Sequence, residues 1–280
     1  MHKKYDTFSK TLGPLAARLI ATLYSKNRPI FNFQEAAKIL GERASASKVL
    51  SQMINNGVVI RLKSETFRII PFELGFEREY LGNPYLVARE LISGKSKKEY
   101  YLSHGSAFNL HQMVTQPQLT VYISSPQMIR PCIIQGTEFR FIYCKTKNLF
   151  GVTEMWVDKN EKIHISDLER TLLDGLKQPH YCGGFSEVAK GFSIKHQEIE
   201  PQKIIDYAIK LNVGAVNRRL GYIMELYNIG SRIHWEFLQT TLTSTYQLLD
   251  PELPTEGRYI AKWRLRLNIP QEELLALRGT

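Results

Sequence analysis

The sequence predicts an α+β fold in which an N-terminal winged helix-turn-helix precedes a larger mixed α/β domain. Apolar residues recur at helical spacing before residue 56 and then alternate over a short basic hairpin, whereas strand and helix patterns are mixed after residue 99. Residues 1–72 hold 12 basic and 4 acidic side chains, which is +8 of the formal net charge of +10. We therefore assign the winged helix-turn-helix to residues 1–72, a linker with a connecting helix to residues 73–98, and a C-terminal domain to residues 99–280.

Apolar spacing and a cap predict the first two helices. Apolar side chains three and four positions apart predict a helix over roughly residues 10–26. Asn32 stands three residues before Glu35, which is the spacing of a capping box, and a short second helix follows and ends at Gly41. The brief turn of residues 41–44 is typical of a helix-turn-helix.

The third helix carries the predicted nucleic-acid contacts. Ser45 is a suitable N-cap and Gly57 a suitable stop. Its apolar face is expected to pack inward through Ala46, Val49, Leu50 and Met53. The opposite face offers hydroxyls, amides and one cation, the groups that bind base edges and phosphates, at Ser47, Lys48, Ser51, Gln52 and Asn55. We expect this helix, including Ser45, to contact DNA in the major groove, with Gln52 and Asn55 recognising adenine.

A basic hairpin follows the third helix. The apolar period changes from 3.6 to two, with a turn at residues 63–66 between two strands. Arg61, Lys63 and Arg68 are expected to contact the DNA backbone from this wing. Two alternatives are an ordinary helical subdomain and a winged helix that binds a protein. A protein-binding module would show no salt-sensitive binding to the DNA upstream of its own gene.

Composition indicates a protein of the reduced cytoplasm. Cys132, Cys144 and Cys182 are odd in number and lack a C-x-x-C spacing, which argues against a disulfide framework and a zinc site. The N-terminus leads into no signal-peptide core, and no uncharged apolar run approaches 18 residues, so we expect a cytoplasmic protein with no membrane partner. There is no P-loop or dinucleotide-binding motif, and we expect neither a cofactor nor a metal.

Strand and helix signals are mixed in the C-terminal domain. Strands are expected at residues 100–102, 119–124, 139–144, 154–157, 162–165 and 259–267. Helices are expected at residues 103–113, 166–176, 185–192, 201–211 and 214–227. In the last strand, apolar residues alternate with Lys262, Arg264 and Arg266. Three like charges on one strand face predict either a neighbouring acidic strand or a second contact to phosphate.

Four short motifs follow one another in this domain. They are residues 100–103 (Tyr-Tyr-Leu-Ser) with Ala107, Leu110 and His111; residues 167–174 (Asp-Leu-Glu-Arg-Thr-Leu-Leu-Asp) with Pro179, Gly183, Gly184 and Glu187; residues 219–222 (Arg-Leu-Gly-Tyr); and residues 263–268 (Trp-Arg-Leu-Arg-Leu-Asn). In this order they resemble the AbiEi family of abortive-infection antitoxins. The resemblance covers about residues 8 to 270.

The resemblance implies both a fold and a function. Members of this family combine an N-terminal winged helix with a larger mixed domain and take part in phage defence. They repress their own toxin–antitoxin operon by binding inverted repeats in double-stranded DNA. Through the C-terminal domain they suppress a nucleotidyltransferase-like toxin of the AbiEii type. The implied role is therefore that of a transcriptional regulator and antitoxin, not an enzyme.

A metal-dependent nuclease is the enzymatic alternative. It would need the carboxylates of Asp167, Glu169, Asp174 and Glu187 to face one another around a divalent cation. The structural interpretation, which we favour, is a capping box of Ser166 with Glu169 and an ion pair of Arg170 with Asp174. His104 and His111 lack a third ligand and are interpreted as capping or core residues. His180 and Cys182 fall in a tight connection at residues 179–184.

Arg218 and Arg219 lie on the predicted helix of residues 214–227. They contact the toxin or nucleic acid in one interpretation. In the other, which we favour, they form a solvated helix face with local ion pairs near Glu225.

Overall fold

The computed structural model describes residues 12–71, 82–92, 99–114, 119–158 and 161–278. The chain divides into two compact units, Met1–Lys97 with Ile134–Gly136 and Lys98–Ile133 with Thr137–Thr280. Within the described residues both units combine helices with strands, so the fold is α+β, as the sequence predicts. No helix in this part of the chain is long and apolar enough to cross a membrane.

The described residues up to 92 form four helices and three strands. The helices are α1 (Pro14–Ser25), α2 (Phe33–Leu40), α3 (Arg43–Asn55) and α4 (Pro84–Ile92), and the strands are β1 (Ile30–Asn32), β2 (Val59–Lys63) and β3 (Thr66–Ile69). The strands form an antiparallel sheet in the order β1-β3-β2. The hairpin of β2 and β3 confirms the predicted strand pair. The sequence does not predict β1, because three residues are too few to show a period.

A cap and a glycine fix the connection from α2 to α3. Asn32 Oδ1 accepts the Glu35 N–H (2.8 Å) and Glu35 Oε2 accepts the Asn32 N–H (2.9 Å), which confirms the capping box. Gly41 ends α2 in the left-handed region at φ +89°. The predicted cap of the third helix at Ser45 is wrong. Glu42 has the extended backbone of an N-cap, and α3 begins at Arg43 with Ser45 inside its first turn.

The core of the N-terminal unit lies between the first three helices and the small sheet. Leu19 and Leu23 of α1 are buried there, and the rings of Phe31 and Phe67 stack with centroids 5.7 Å apart. The predicted inward face of α3 is buried as well, at Ala46, Val49, Leu50 and Met53. Burial of this face fixes the opposite face of α3 toward solvent.

The connecting helix α4 begins at the expected residue. Pro84 is its first residue, and Asn83 Oδ1 accepts the Tyr85 N–H at 3.0 Å. Most of the predicted linker around this helix, residues 73–81 and 93–98, lies outside the described residues.

A mixed six-stranded sheet forms one part of the C-terminal unit. Its strands are β4 (Tyr101–Leu102), β5 (Thr120–Ser125), β6 (Cys132–Ile134), β7 (Thr137–Tyr143), β8 (Val152–Asp158) and β9 (Glu161–Ser166), in the order β6-β7-β5-β4-β9-β8. The pairs β5–β7 and β4–β9 are parallel, and the pairs β4–β5 and β8–β9 are antiparallel. Five of the six were predicted, with ends that differ by one or two residues.

Seven helices accompany this sheet in the described part of the C-terminal unit. They are α5 (His104–Leu110), α6 (Leu168–Lys177), α7 (Phe185–Lys195), α8 (Pro201–Leu211), α9 (Gly214–Leu226), α10 (Arg232–Thr240) and α11 (Gln271–Ala276). The sequence predicts all but α10 and α11. The core includes Trp263, which packs on Gly221 of α9 so closely that a Cβ there would lie 2.0 Å from the indole Cζ3. This contact requires glycine at position 221.

The predicted strand of residues 259–267 is a hairpin instead. Its two arms are β11 (Arg258–Ile260) and β12 (Leu265–Leu267), which pair antiparallel, and β10 (Gln247–Leu248) pairs parallel on the other side of β12. The chain reverses between the arms, with Arg264 at φ +49°. The two-residue alternation continues through the turn, so the period alone does not reveal the reversal. Lys262, Arg264 and Arg266 therefore do not share one strand face.

A buried ion pair connects α6 to the large sheet. Arg170 Nε donates to Asp174 Oδ1 (3.0 Å), Arg170 Nη2 donates to the Tyr101 hydroxyl (2.8 Å), and that hydroxyl donates to Asp174 Oδ2 (3.0 Å). Burial alone would lower the pKa of Arg170, but the neighbouring Asp174 carboxylate raises it above its usual value. Arg170 Nη1 also donates to the Asn148 carbonyl (2.8 Å). The triangle satisfies both buried charges.

We expect Asp174→Asn to destabilise the C-terminal unit by about 3–5 kcal/mol, because it leaves the Arg170 charge buried without a counter-charge. Urea unfolding followed by tryptophan fluorescence measures this, since all three tryptophans lie after residue 150. The matched control is Asp206→Asn, at an exposed position of α8, with an expected change within about 0.5 kcal/mol. Equal effects of the two substitutions would contradict the role given to the triangle.

Candidate nucleic-acid interface

The outer face of α3 is the best candidate for a binding surface in the N-terminal unit. All five residues predicted on it are exposed: Ser47, Lys48, Ser51, Gln52 and Asn55. Ser45 is half-buried, and its hydroxyl donates to Glu42 Oε2 at 3.4 Å. The exposed set therefore offers two hydroxyls, two carboxamides and one ammonium group along a single helix face.

Arg43 is a residue of this face that the sequence prediction omitted. It is the first residue of α3, is exposed, and holds its guanidinium 5.5 Å from the centre of the Phe33 ring. The omission follows from placing the helix start at Ser45. The glycine at position 41, which ends α2, is the sequence signal that places the start of α3 directly after it.

The hairpin contributes one exposed cation instead of the three predicted. Arg61 is exposed and lies over the Phe67 ring at 5.4 Å. Lys63 is half-buried, and its Nζ donates to the Glu90 carbonyl (2.9 Å) and the Leu91 carbonyl (2.8 Å) at the end of α4. Burial lowers the pKa of Lys63, against the opposing effect of Glu90. These hydrogen bonds hold the Lys63 ammonium group at the end of α4, which argues against its predicted phosphate contact.

The predicted phosphate contact of Arg68 is wrong. This residue is only 6% exposed and is packed against Gly82, where an added Cβ would lie 1.7 Å from Arg68 Nη2. Arg68 lies on the central strand, β3, where it pairs with Ile30 of β1 and Ile60 of β2. Its side chain is enclosed instead of projecting from the wing. Burial of this guanidinium was not visible in the alternating pattern, which placed it on the polar face.

Arg218 and Arg219 are neither a solvated face nor a binding surface. They are 2% and 4% exposed. Arg218 donates to the carbonyls of Gly214 (2.7 Å), Thr243 (3.0 Å) and Thr245 (3.0 Å). Arg219 donates to the carbonyls of Leu176 (2.7 Å) and Leu248 (3.1 Å), and burial lowers its pKa to about 10. Both predicted roles are corrected, because backbone carbonyls occupy these guanidinium groups.

The cations of the C-terminal hairpin have different environments. Lys262 pairs with Glu225, whose second oxygen accepts the Trp263 indole N–H at 2.7 Å. Arg264 donates to the Ser244 carbonyl (3.4 Å), and Arg266 lies over the Tyr259 ring (5.1 Å). The acidic neighbouring strand that would explain the charges is not found in β10 or β11, which hold Gln247, Leu248 and residues 258–260 (Arg-Tyr-Ile).

The four carboxylates of the nuclease alternative fall into separate contacts. Asp167 and Glu169 share Lys203, at 3.3 and 2.7 Å, whereas Asp174 belongs to the Arg170 triangle. Asp167, not Ser166, is the N-cap of α6, so the predicted capping box is wrong; the Ser166 hydroxyl instead lies 2.7 Å from Thr171 Oγ1. Glu187 is half-buried in the first turn of α7. No group of three potential metal ligands occurs among the described residues.

The two histidines of the α5 region bond to different groups. His104 is buried and its Nδ1 lies 2.9 Å from Ser103 Oγ, whereas His111 Nε2 lies 2.8 Å from the Ser166 carbonyl. Burial lowers the pKa of His104 to about 4, and burial also lowers the pKa of His111. Residues Pro179–Cys182 form a short 3₁₀ turn that ends at Gly183, as the predicted tight connection requires.

Comparison with known proteins defines the fold class only. No protein-family model matches the chain, and no curated protein matches it. The crystal structure of the RV2827C protein from Mycobacterium tuberculosis is similar, with a TM-score of 0.71, 12% sequence identity and coverage of 95% of each chain. The α+β architecture is therefore shared with a protein of the same length range, at an identity that carries no functional information.

We expect acid to destabilise the C-terminal unit through His104. An unfolded histidine binds a proton below about pH 6.5, but the folded His104 does so only near pH 4, so stability falls as the pH drops between these values. His104 should contribute a loss of about 2 kcal/mol between pH 7 and pH 5. Urea unfolding at each pH measures it.

The matched variants are His104→Asn and His196→Asn. Asparagine tolerates the left-handed φ of +48° at position 104, and His104→Asn should remove the part of the pH dependence that His104 contributes. His196 is exposed, and its replacement is the control for the loss of a histidine from the surface. A wild-type slope that survives in His104→Asn would show that another group titrates.

Proposed function

We propose that the N-terminal unit is a winged helix-turn-helix that binds double-stranded DNA with α3 in the major groove. The observation that carries the proposal is the exposed polar face of α3 opposite a fully buried apolar face. Two residues separate α2 from α3, and the β2–β3 hairpin follows α3 directly. This order of elements is that of a recognition helix followed by a wing.

The side chains of α3 suit direct recognition of bases. Gln52 and Asn55 carry carboxamides, which can bind the N6 and N7 edge of adenine with two hydrogen bonds. Ser47, Ser51 and Lys48 supply hydroxyl and ammonium donors for phosphates. Arg43 and Arg61 add phosphate contacts from the start of the helix and from the wing. Each subunit would bind one half of an inverted repeat, so two copies bind each operator.

We further propose that the protein represses its own toxin–antitoxin operon and suppresses a nucleotidyltransferase-like toxin through the C-terminal unit. The ordered motifs at residues 100–111, 167–187, 219–222 and 263–268 support this role through their resemblance to AbiEi antitoxins. Several of these residues have structural roles here, since Tyr101, Arg170 and Asp174 form the buried triangle and Arg219 binds carbonyls. The motifs therefore support a shared fold first, and the antitoxin function through it.

We expect Gln52→Ala to reduce discrimination at one or two base pairs of the operator by about 1–3 kcal/mol, because a bidentate contact to adenine is lost. The measurement is a titration of the purified full-length protein against its labelled upstream DNA and against single-base variants, with competitor DNA and at two salt concentrations. Unchanged affinity and sequence preference would place α3 outside the groove. Asn56→Ala, at an exposed residue just beyond α3, is the control.

Arg61→Gln and Lys63→Gln distinguish a phosphate contact from a structural lysine. Arg61→Gln should weaken binding to all duplex sequences alike and reduce the slope of log affinity against log salt by about 1. Lys63→Gln should leave this slope unchanged and lower the melting temperature of the N-terminal unit, because its ammonium group binds the last carbonyls of α4. A reduced slope for Lys63→Gln would return this lysine to the DNA-contacting set.

The Gln52→Ala variant also separates the two proposed roles. It should lose repression of a reporter fused to the upstream region and still protect cells that express the neighbouring toxin. Loss of protection together with repression, at equal protein abundance, would mean that suppression of the toxin depends on the DNA-binding surface.

A further inference from the structure

The three-stranded sheet near the C-terminus carries a surface that the proposed DNA-binding and antitoxin roles leave unexplained. Two tyrosines lie on it with large exposed fractions, 41% for Tyr246 and 61% for Tyr259. Their rings meet edge to face with centroids 5.1 Å apart. Exposed aromatic rings that pack mainly on each other present their remaining area to solvent. We call this surface, formed by Tyr246, Tyr259, Arg264 and Arg266, the Tyr–Arg face.

The arginines of the Tyr–Arg face have no carboxylate partner in the described part of the chain. Arg266 lies over the Tyr259 ring at 5.1 Å and donates to the Gly257 carbonyl at 3.3 Å. Arg264 donates to the Ser244 carbonyl (3.4 Å). Among the described residues, neither of these two arginines forms an ion pair. The nearby Glu225 is already engaged by Lys262 and the Trp263 indole.

Like charges are also close together at this surface. Arg218 is buried behind the loop that Arg264 contacts, and its pKa is lowered first by burial and then by the positive charge of Arg264. A bound anion beside Arg264 would reduce this repulsion. The face therefore combines aromatic rings with cations that neutral acceptors, and not carboxylates, hold in place.

We propose that the Tyr–Arg face binds single-stranded nucleic acid. Bases would stack on Tyr259 and Tyr246, and phosphates would pair with Arg264 and Arg266. Unpaired bases have free faces that can reach an exposed ring, whereas the bases of a duplex are already stacked on one another. The charge of the face matches a polyanion, and neither ring offers the convergent donors that would recognise a particular base. Binding is therefore tolerant of sequence and sensitive to salt.

This proposal is independent of the DNA contact of α3, and the experiment keeps the two apart. Fluorescence anisotropy of the full-length protein is measured with a labelled RNA strand of about 12 nucleotides, the DNA strand of the same sequence, and the duplex of that DNA. Tyr259→Ala should weaken binding of the single strands about tenfold, the loss typical for one stacked base. Tyr259→Phe keeps the ring and should stay within about twofold of the wild type.

Arg264→Asn removes one charge of the Tyr–Arg face, and asparagine tolerates the left-handed backbone of this position. The variant should bind single strands more weakly and with a smaller salt dependence. Two controls complete the series. Tyr24→Ala removes a tyrosine of similar exposure from α1, and Lys48→Ala removes one of the two exposed cations of α3; neither should change single-strand affinity. The RNA and DNA strands show whether the 2′-hydroxyl contributes.

Three results would overturn the proposal. They are no binding of either single strand, equal affinity of Tyr259→Ala and the wild type, and tighter binding of the duplex that depends on Tyr259. A single-strand affinity that falls equally in Lys48→Ala and Tyr259→Ala would also overturn it, because the N-terminal unit would then be part of the site. Circular dichroism melting of each variant shows that any loss occurs in folded protein.

Discussion

The C-terminal unit depends on the buried pair of Arg170 and Asp174. Two charges removed from water are tolerated only where every donor and acceptor is satisfied, and the Tyr101 hydroxyl completes that requirement by accepting from one partner and donating to the other. The N-cap of the same helix, α6, is Asp167, which accepts from the Tyr207 hydroxyl of α8, and near the end of the helix the Leu176 carbonyl accepts from Arg219 of α9. Helix α6 thereby fixes the positions of the central strand β4 and of helices α8 and α9 through specific polar contacts.

Several arginines of the C-terminal unit are buried and bind backbone carbonyls instead of carrying charge at the surface. Arg218 holds the loop before β10 and Arg219 holds β10 itself, each with several of the five donors of a guanidinium group. Lys63 has the same role at the end of α4. Arg218 and Arg219, held in this way, are 2% and 4% exposed and therefore cannot reach a phosphate or a partner. Arg264 and Arg266 of the Tyr–Arg face differ, because they are only half-buried and each donates to a single carbonyl.

Periodicity and helix caps predict much of this fold. They fail where contacts between residues distant in sequence determine the structure. Asn32 with Glu35 and the apolar face of α3 are local signals, so the bounds of α2 and the buried face of α3 are predicted correctly, whereas α1 begins later and α3 earlier than the sequence predicts. The strand β1 is too short to have a period, and the reversal at Arg264 keeps the alternation of its flanking strands. Burial of Arg68, Arg218 and Arg219 depends on carbonyls and packing partners distant in sequence, so a charge pattern assigns these residues to solvent. For the candidate site, the five polar residues of α3 are predicted correctly as exposed, whereas two of the three wing cations are not, and the two exposed tyrosines gave no signal at all.

The charge count overstates the electrostatic attraction that the N-terminal unit can offer to DNA. Among its described basic residues, Lys63 and Arg68 are enclosed and Arg28 pairs with Glu35 at 3.2 Å. On α3 itself the exposed groups are mainly hydroxyls and carboxamides, with Lys48 and Arg43 as cations. Hydroxyls and amides are neutral, so they gain little binding free energy from general electrostatic attraction. Each gives up a hydrogen bond to water on binding and therefore requires a base edge with a correctly placed partner. A surface of this composition favours selective over general binding to duplex DNA. The cations and rings of the Tyr–Arg face have the opposite balance, because stacking and ion pairing do not depend on the identity of the base.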